Sequence, residues 1–447
     1  MAVAMQTNER IDNYYNASCN DHTRYPGLAG DHHADIVIVG GGSTGINTAL
    51  ELAERGFDVA LLEANRIAWG ASGRNGGQVT GSLSGDAAIF KQLKGMIGSD
   101  AIDVMRMLRW HGHKIISERV DRYKINCDLK NGHLHTAYRE SDIAELQASL
   151  YDAQQAGLGE HVQWLDKQQV HEKLATPLYY GGTLNTYNMH LHSLNLCLGE
   201  AAAAVSLGAR IYEQSPVLSL DYGESKNTNG SAGFACVHTA NGSVSANTII
   251  LAGNAYHRLA QHALKGLVFP AILGNLTTAP LGTELASTIN PDDLAVYDSR
   301  MVLDYYRLTG DGRLMFGGGT NYSGRDIAHV AKSLRPALEK TFPALRGVTI
   351  DYEWTGTAGI VINRIPALGR ISNNVYYAQG YSGHGIASSH IMAHIMAEAI
   401  SGTLEQFDLF SQLKQIRLPL GPRLGSAMIA LGMAYFGLRD RIRVNKI

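Results

Sequence analysis

Cysteine is scarce. The 447 residues hold four, Cys19, Cys127, Cys197 and Cys236, far apart and without a C-x-x-C pair or a metal-ligand spacing. A chain this long can build its own core without disulfide staples, so disulfide-scaffold and zinc-site classes are set aside and a reducing, cytoplasmic setting is expected. An excess of one charge is missing too. Lys and Arg number 38 against 40 Asp and Glu, a formal net charge of −2, which lacks the basic footprint that a nucleic-acid partner requires. No apolar run reaches the roughly 20 residues that span a bilayer. The mostly apolar stretch from Ser426 to Leu438 is expected to be a packed C-terminal helix, with peripheral membrane attachment or an oligomer contact as the alternative. Glu9, Arg10 and Asp12 interrupt the N-terminal stretch where an export signal would need an apolar core. What is plentiful is glycine. Its 49 residues include the runs Gly40 to Gly42, Gly76 to Gly77 and Gly317 to Gly319, marks of backbone that adopts positive φ or approaches a ligand closely.

The first of these runs sits in an ordered motif. Asp35 to Val39 (DIVIV) is an apolar, β-branched run of the kind that forms a parallel strand buried on both faces. Gly40, Gly42 and Gly45 follow as G-x-G-x-x-G, and Ile46, Ala49, Leu50 and Ala53 then recur on one helical face. Arg55 and Gly56 end that helix as a last-turn cation and a C-cap glycine, Val59 to Leu62 reads as the next strand, and Glu63 closes it, 23 residues after Gly40. Two of the glycines let backbone approach a pyrophosphate, and the third lets helix and strand pack closely. The helix N-terminus offers amides and positive potential, and the acid accepts from ribose hydroxyls. A lone G-x-G-x-x-G is weak evidence. With strand, helix and acid in order it points to a dinucleotide, without separating FAD from NAD.

Directly afterwards, Gly70 to Gln78 (GASGRNGGQ) is too rich in glycine and small polar residues for a strand or helix. Val375 to Gln379, Gly380 to Gly385 and Ile386 to Ser401 read as a second strand, turn and helix, ended by Gly402. Together with Thr248 to Gly253 (TIILAG), Trp354-Thr-Gly356, Pro366 to Gly369 (PALG), His190 to Ala201 (HLHSLNLCLGEA) and Val302 to Thr309 (VLDYYRLT), these segments give a chain that resembles the D-amino-acid-oxidase-like family of FAD enzymes from about Tyr14 to Asp440.

The resemblance implies an α/β fold. Its Rossmann-like FAD domain would be assembled from discontinuous segments, about 30–90, 190–265 and 345–405, with an antiparallel-sheet α+β substrate domain from 91–189 and 266–344. Residues 1–29 would be an N-terminal extension and 406–447 a helical cap. It implies contacts from Gly40, Gly42, Ser43, Gly45, Glu63 and Ala64 to the nucleotide half of FAD, and from Ser72, Arg74, Asn75, Gly76, Gly77 and Gln78 along the pyrophosphate and one flavin face. Val217 would open a short strand at the adenine, and Ala252 and Gly253 the second nucleotide-side turn. Gly380, Tyr381, Ser382, Gly383, His384 and Gly385 would present backbone amides where charge gathers on the reduced ring. No cysteine precedes the flavin region closely, so FAD is expected to be held non-covalently.

The pocket is expected beneath the hairpin around Gly310-Asp311-Gly312, with Tyr305, Tyr306 and Arg307 as catalytic candidates; aromatic faces suit an alkylamine stem and its ammonium. Strand alternation allows only some of them to face inward, and Glu353 and Trp354 are second choices. His384 is open to two roles, a flavin or dioxygen contact and a structural one. His190 and His192 flank Leu191 and are expected to share a side. His133 and His135 have the same spacing, and His390 and His394, four apart, are expected to pack a helix rather than bind metal.

In relatives that oxidise α-amino acids, an arginine after the Trp-x-Gly segment clamps the substrate carboxylate. Here Ala358 occupies that position, unless Arg364 or Arg307 substitutes. A small-molecule amine without an adjacent carboxylate, such as an acylated diamine, is therefore expected, with dioxygen as the oxidant. Met315 stands where some relatives carry a lysine over the flavin, which keeps a dehydrogenase using a quinone or electron-transfer protein open. A flavin-bearing structural or regulatory protein without turnover is the remaining alternative.

Overall fold

The computed structural model describes residues 12–81, 83–154, 159–223, 234–323 and 325–418. Its centre is the strand Gly30–Val39, whose Ile36, Val37 and Ile38 are buried on both faces. That burial requires neighbours on each edge and layers above and below. Parallel partners are Val59–Leu62 on one side, with Ile36 opposite Val59, and Gly242–Leu251 on the other, with Val39 opposite Leu251. The described sheet has eight strands; its main path runs Ala367–Ser372, Val375–Gln379, Gly242–Leu251, Gly30–Val39, Val59–Leu62 and Arg210–Tyr212. The helix Ser43–Glu54 packs against Ser193–Ser206 and Gly385–Ile400, and Gly385–Ile400 packs on Ala101–Tyr123, which covers one face. Gly45 shows why the motif needs its third glycine: a Cβ there would lie 1.9 Å from the carbonyl oxygen of Gly40.

A second sheet of nine described strands runs Ile350–Ile360, Phe269–Thr278, Leu314–Asn321, Tyr305–Leu308, Ala295–Asp298, Lys130–Thr136, Gly181–His190 and Gln78–Val79, with Val162–Asp166 pairing beside Gly181–His190. One face carries a core of Leu276, Tyr306, Phe316, Leu338 and Phe342 beneath the helix Val330–Thr341. The other face turns towards the glycine-rich loop at 70–78.

Several elements lie elsewhere than the sequence suggests. Ile350–Ile360 and Gln78–Val79, expected among the nucleotide-binding segments, are strands of the second sheet. Val217 lies in the loop before the strand Ser219–Asp221, which pairs antiparallel with Ala235–His238. The N-terminal segment is no mere extension. A short helix, Tyr14–Ser18, is capped by the side chain of Asn13 and buries Tyr14 and Tyr15 in the main core. At the other end Glu405–Ser411 buries Phe407 and Phe410, while Ser426 to Leu438 falls outside the described residues. Among the described residues no helix is long and apolar enough to cross a membrane.

Candidate cofactor and substrate site

The carboxyl ends of the central strands bring the nucleotide candidates together, as expected of an open parallel sheet. Gly40 takes φ +117° and passes so close to the next strand that a Cβ would lie 2.8 Å from the oxygen of Ala252. Gly42 precedes the helix Ser43–Glu54 and brings no side chain of its own to cap it, so the helix start presents backbone and positive potential. Glu63 accepts from the amide of Gly41 at 2.6 Å and from that of Asn65 at 2.8 Å, which ties the glycine motif to the segment around Ala64. Burial raises the pKa of its carboxyl, against the lowering effect of the Asn65 and Gly41 amides. Glu213 was invisible in the sequence. It accepts from Arg66 Nη1 at 2.7 Å and from the Ile67 amide at 2.8 Å and so holds the segment after Ala64.

The loop from Gly70 to Gln78 contains a turn of 3₁₀ helix at Ala71–Gly73 and then crosses to the second sheet. Ser72 Oγ accepts from the Ser43 amide at 2.9 Å, joining the loop to the first helix. The carbonyl of Arg74 accepts from Trp354 Nε1 at 3.0 Å and Asn275 Nδ2 at 3.2 Å, and its guanidinium lies 4.3 Å over the Trp69 ring. Asn75 braces the loop from within by donating to the carbonyls of Ala71 and Ser72 and accepting from the Gly77 amide. Gly76 and Gly77 admit no side chain: a Cβ would lie 2.5 Å from the Tyr305 ring in one case and 2.2 Å from the Leu191 oxygen in the other. Gln78 donates to the carbonyls of Val296 and Tyr306.

The turn Gly380 to Gly385 meets the same region. The Gly380 amide donates to Asn254 Oδ1 at 3.0 Å, beside Gly253, and the Ser382 amide donates to the Gly359 oxygen at 2.9 Å. Tyr381 OH and Thr44 Oγ1 are 2.7 Å apart, and Ser43 Oγ and Ser389 Oγ 2.6 Å. These two bonds tie the start of Ser43–Glu54 to the start of Gly385–Ile400, and neither Gly42 nor His384 caps its helix with a side chain. Gly383 takes φ +98°, which favours glycine. The residues fit FAD. Trp69 Nε1, Arg74 Nη2, Gln379 Oε1 and His384 Nδ1 are buried without a partner on segments that frame the cleft, and each such group costs about 1–3 kcal/mol unless a ligand satisfies it. Burial also lowers the pKa of His384.

Alternation sorts the catalytic candidates. Tyr305 and Arg307 share the inner face of the second sheet with Asn275, Met315, Gly317, Trp354, Gly356 and Ala358, as the cross-strand register requires. Tyr305 OH donates to Asn275 Oδ1 at 2.9 Å. Tyr306 points the other way, stacks on Phe316 with ring centroids 5.8 Å apart and donates to Tyr179 OH, so it is a core residue and not a pocket residue. Glu353 also leaves the pocket, since its carboxylate accepts from the Ala331 amide on the opposite face. Arg307 is only 1% exposed, and each guanidinium nitrogen already donates: Nε to the Gly76 oxygen, Nη1 to the Leu308 oxygen and Nη2 to Tyr15 OH. Three of its five N–H donors are thus taken by protein partners, and its burial leaves no exposed surface to offer a substrate.

His190 and His192 do not share a side. His190 bonds the Asp293 oxygen, whereas His192 caps the helix Ser193–Ser206 and packs edge-on against Tyr15. His390 bonds Glu200 and His394 bonds Glu51, both within helix packing. Sequence reading missed Tyr297, which shares the inner face with Tyr305 and stacks on His135 at 4.1 Å. Burial lowers the pKa of His135 to about 4 and that of His133 well below the ordinary value, so both rings are neutral near pH 7. Tyr15 was missed as well, because a five-residue helix near the start of a chain carries no periodic signal.

A model of the family described as FAD dependent oxidoreductase (DAO) matches residues 35–399. Gamma-glutamylputrescine oxidoreductase of Escherichia coli is 39% identical over 437 residues, spanning 98% of this chain and 100% of that protein. A probable oxidoreductase, OrdL, of Haemophilus influenzae is 34% identical over 440 residues, spanning 97% of this chain and 98% of its own. Among solved structures, glycine oxidase from Bacillus cereus has a TM-score of 0.68 at 21% identity, covering 86% of this chain and 99% of that one, a likeness of fold.

Proposed function

The chain belongs to the family of FAD-dependent oxidoreductases, and from that premise we propose that it oxidises the primary amine of gamma-glutamylputrescine, or of a similar acylated diamine, to an aldehyde with release of ammonia and hydrogen peroxide. Ala358 carries the substrate half of this reading. It lies on the inner face of Ile350–Ile360, in line with Trp354 and Gly356, where an amino-acid oxidase needs an arginine. Arg307 is poorly placed to stand in, because it is buried and three of its five N–H donors are held by protein partners. A carboxylate next to the reacting carbon would then lack the bidentate partner that an arginine at this position supplies.

FAD supplies the two-electron acceptor. The protein shapes access to it. Tyr297, stacked on His135, and Tyr305, packed against Gly76 and Gly317, form an aromatic wall for an alkyl chain and an approaching ammonium. His133 and His135 are neutral, so they add no positive charge to that of Arg307. A dehydrogenase handing electrons to a carrier is a second reading, favoured by Met315, which is fully buried on the inner face and brings no cation there.

Anaerobic rapid mixing tests the substrate reading. Gamma-glutamylputrescine should bleach the flavin much faster than glycine, D-alanine or sarcosine at equal concentration, and faster bleaching by any of these three would refute it. Peroxide formed in air, one per amine consumed, separates oxidase from dehydrogenase.

A further inference from the structure

Arg307 poses an electrostatic problem. It is among the largest fully buried side chains, yet among the described residues no carboxylate lies within ion-pair distance of it. Arg119, comparably buried, shows the ordinary solution: Glu51 at 2.7 Å and Glu200 at 3.3 Å. A guanidinium removed from water without an anionic partner is strongly destabilising. The partners Arg307 does have, two backbone carbonyls and the Tyr15 hydroxyl, are all neutral, so they orient the charge without cancelling it. Burial, and then the Arg307 charge, push the pKa values of His190 and His192 down to about 3. Glycine brings the backbone against this cation: a Cβ on Gly77 would lie 2.9 Å from Arg307 Nε.

We propose that Arg307 is the built-in counter-charge of reduced FAD, held behind Gly76 and Gly77 so that its field crosses the loop to the ring. The oxidised ring is neutral. When the carbon bearing the amine gives up hydride, two electrons and one proton reach the ring and leave it with one negative charge, while the amine becomes an imine and loses a proton to water. A cation fixed beforehand nearby favours the product of that transfer without reorganising. Tyr15 is the positioning residue. Its hydroxyl receives Arg307 Nη2 at 3.3 Å and donates to the Asn75 oxygen at 2.8 Å, which fixes the cation relative to the loop. A carboxylate in place of the phenol would neutralise the field.

The test is the two-electron midpoint potential of the holoenzyme, measured against a reference dye with a chemical reductant so that no amine is needed. Failure of the substrate reading therefore leaves this test intact. Arg307→Gln should disfavour reduction at least tenfold, a fall of about 30 mV, while Arg307→Lys, which keeps the charge and loses the fork, should stay near the wild-type value. Wild-type protein should lie above free FAD in the same cell. An Arg307→Gln potential equal to wild type, or an Arg307→Lys potential as low as that of Arg307→Gln, overturns the proposal. If Arg307→Gln does not retain FAD, the lysine variant decides: a value near wild type supports the counter-charge, and a fall to that of free FAD refutes it.

Discussion

Glu63→Gln tests the nucleotide end most sharply, because both oxygens of Glu63 are already in use. Oε2 accepts from Gly41 and Oε1 from Asn65, at 2.6 and 2.8 Å. An amide side chain keeps one acceptor and turns an N–H towards the other backbone N–H. One charge-assisted bond, about 1.5–3 kcal/mol, is lost. The bond is internal to the protein, so this loss is read as reduced stability in denaturant melts of the apoprotein, while the FAD dissociation constant, followed by flavin fluorescence, should rise as the Gly41 backbone loses its anchor. The pH dependence gives an independent signature. The raised pKa of Glu63 means the folded apoprotein binds this proton more tightly than the unfolded chain does. Protonation therefore adds stability as pH falls from the raised value towards the ordinary 4.5, below which both states are protonated. FAD affinity should run the opposite way, weakening with acid as the charged acceptor is lost. Glu63→Gln should abolish both trends. Unchanged affinity together with an unchanged pH profile would refute the role assigned to this carboxylate.

Tyr306→Phe should leave flavin reduction by substrate unchanged and cost about 1 kcal/mol of stability through the lost bond to Tyr179, whereas Tyr305→Phe should slow reduction; equal kinetic effects would argue against the face assignment. Glu51, buried but held at a pKa of about 2 by His394, Arg119 and Arg55, should contribute stability above about pH 4.5 that is lost as pH falls towards 2. Acid-unfolding curves of wild type and Glu51→Gln should thus converge at low pH. Denaturation should release FAD into solution, since Cys19, Cys127, Cys197 and Cys236 all lie off the 70–78, 350–360 and 380–385 segments; flavin retained by the precipitate would contradict this.

The nucleotide end was legible because its signals are local. A β-branched run, three spaced glycines and a terminal acid each dictate their own geometry, and the strand Val59–Leu62 and the turn after Val375–Gln379 fall where the sequence places them. The substrate side was less so. Tyr305 and Tyr306 are chemically alike and adjacent, and only the register of Tyr305 against Gly317 decides which faces inward. Glu213 and Tyr15 reach the site from 150 residues beyond Glu63 and 60 before Asn75, so no window along the chain contains their partners. Ile350–Ile360 misled for a related reason: its Trp-x-Gly spacing reveals the loop it covers, but not the sheet that holds it.

The register of the central strand has a consequence for how the molecule is made. Gly30 pairs with Gly242, and Ile249 to Leu251 then pair with Val375 to Tyr377. A growing chain would therefore expose the glycine motif more than 200 residues before the strand that pairs beside it, and the turn at 380–385 would emerge later still. Contacts this distant in sequence form slowly. In the interval the edge of Gly30–Val39 that Gly242–Leu251 will cover stands open to mispairing, and FAD, whose crevice needs both strands, should bind late. Yield in cells should accordingly follow the supply of flavin at the end of synthesis more closely than at its start.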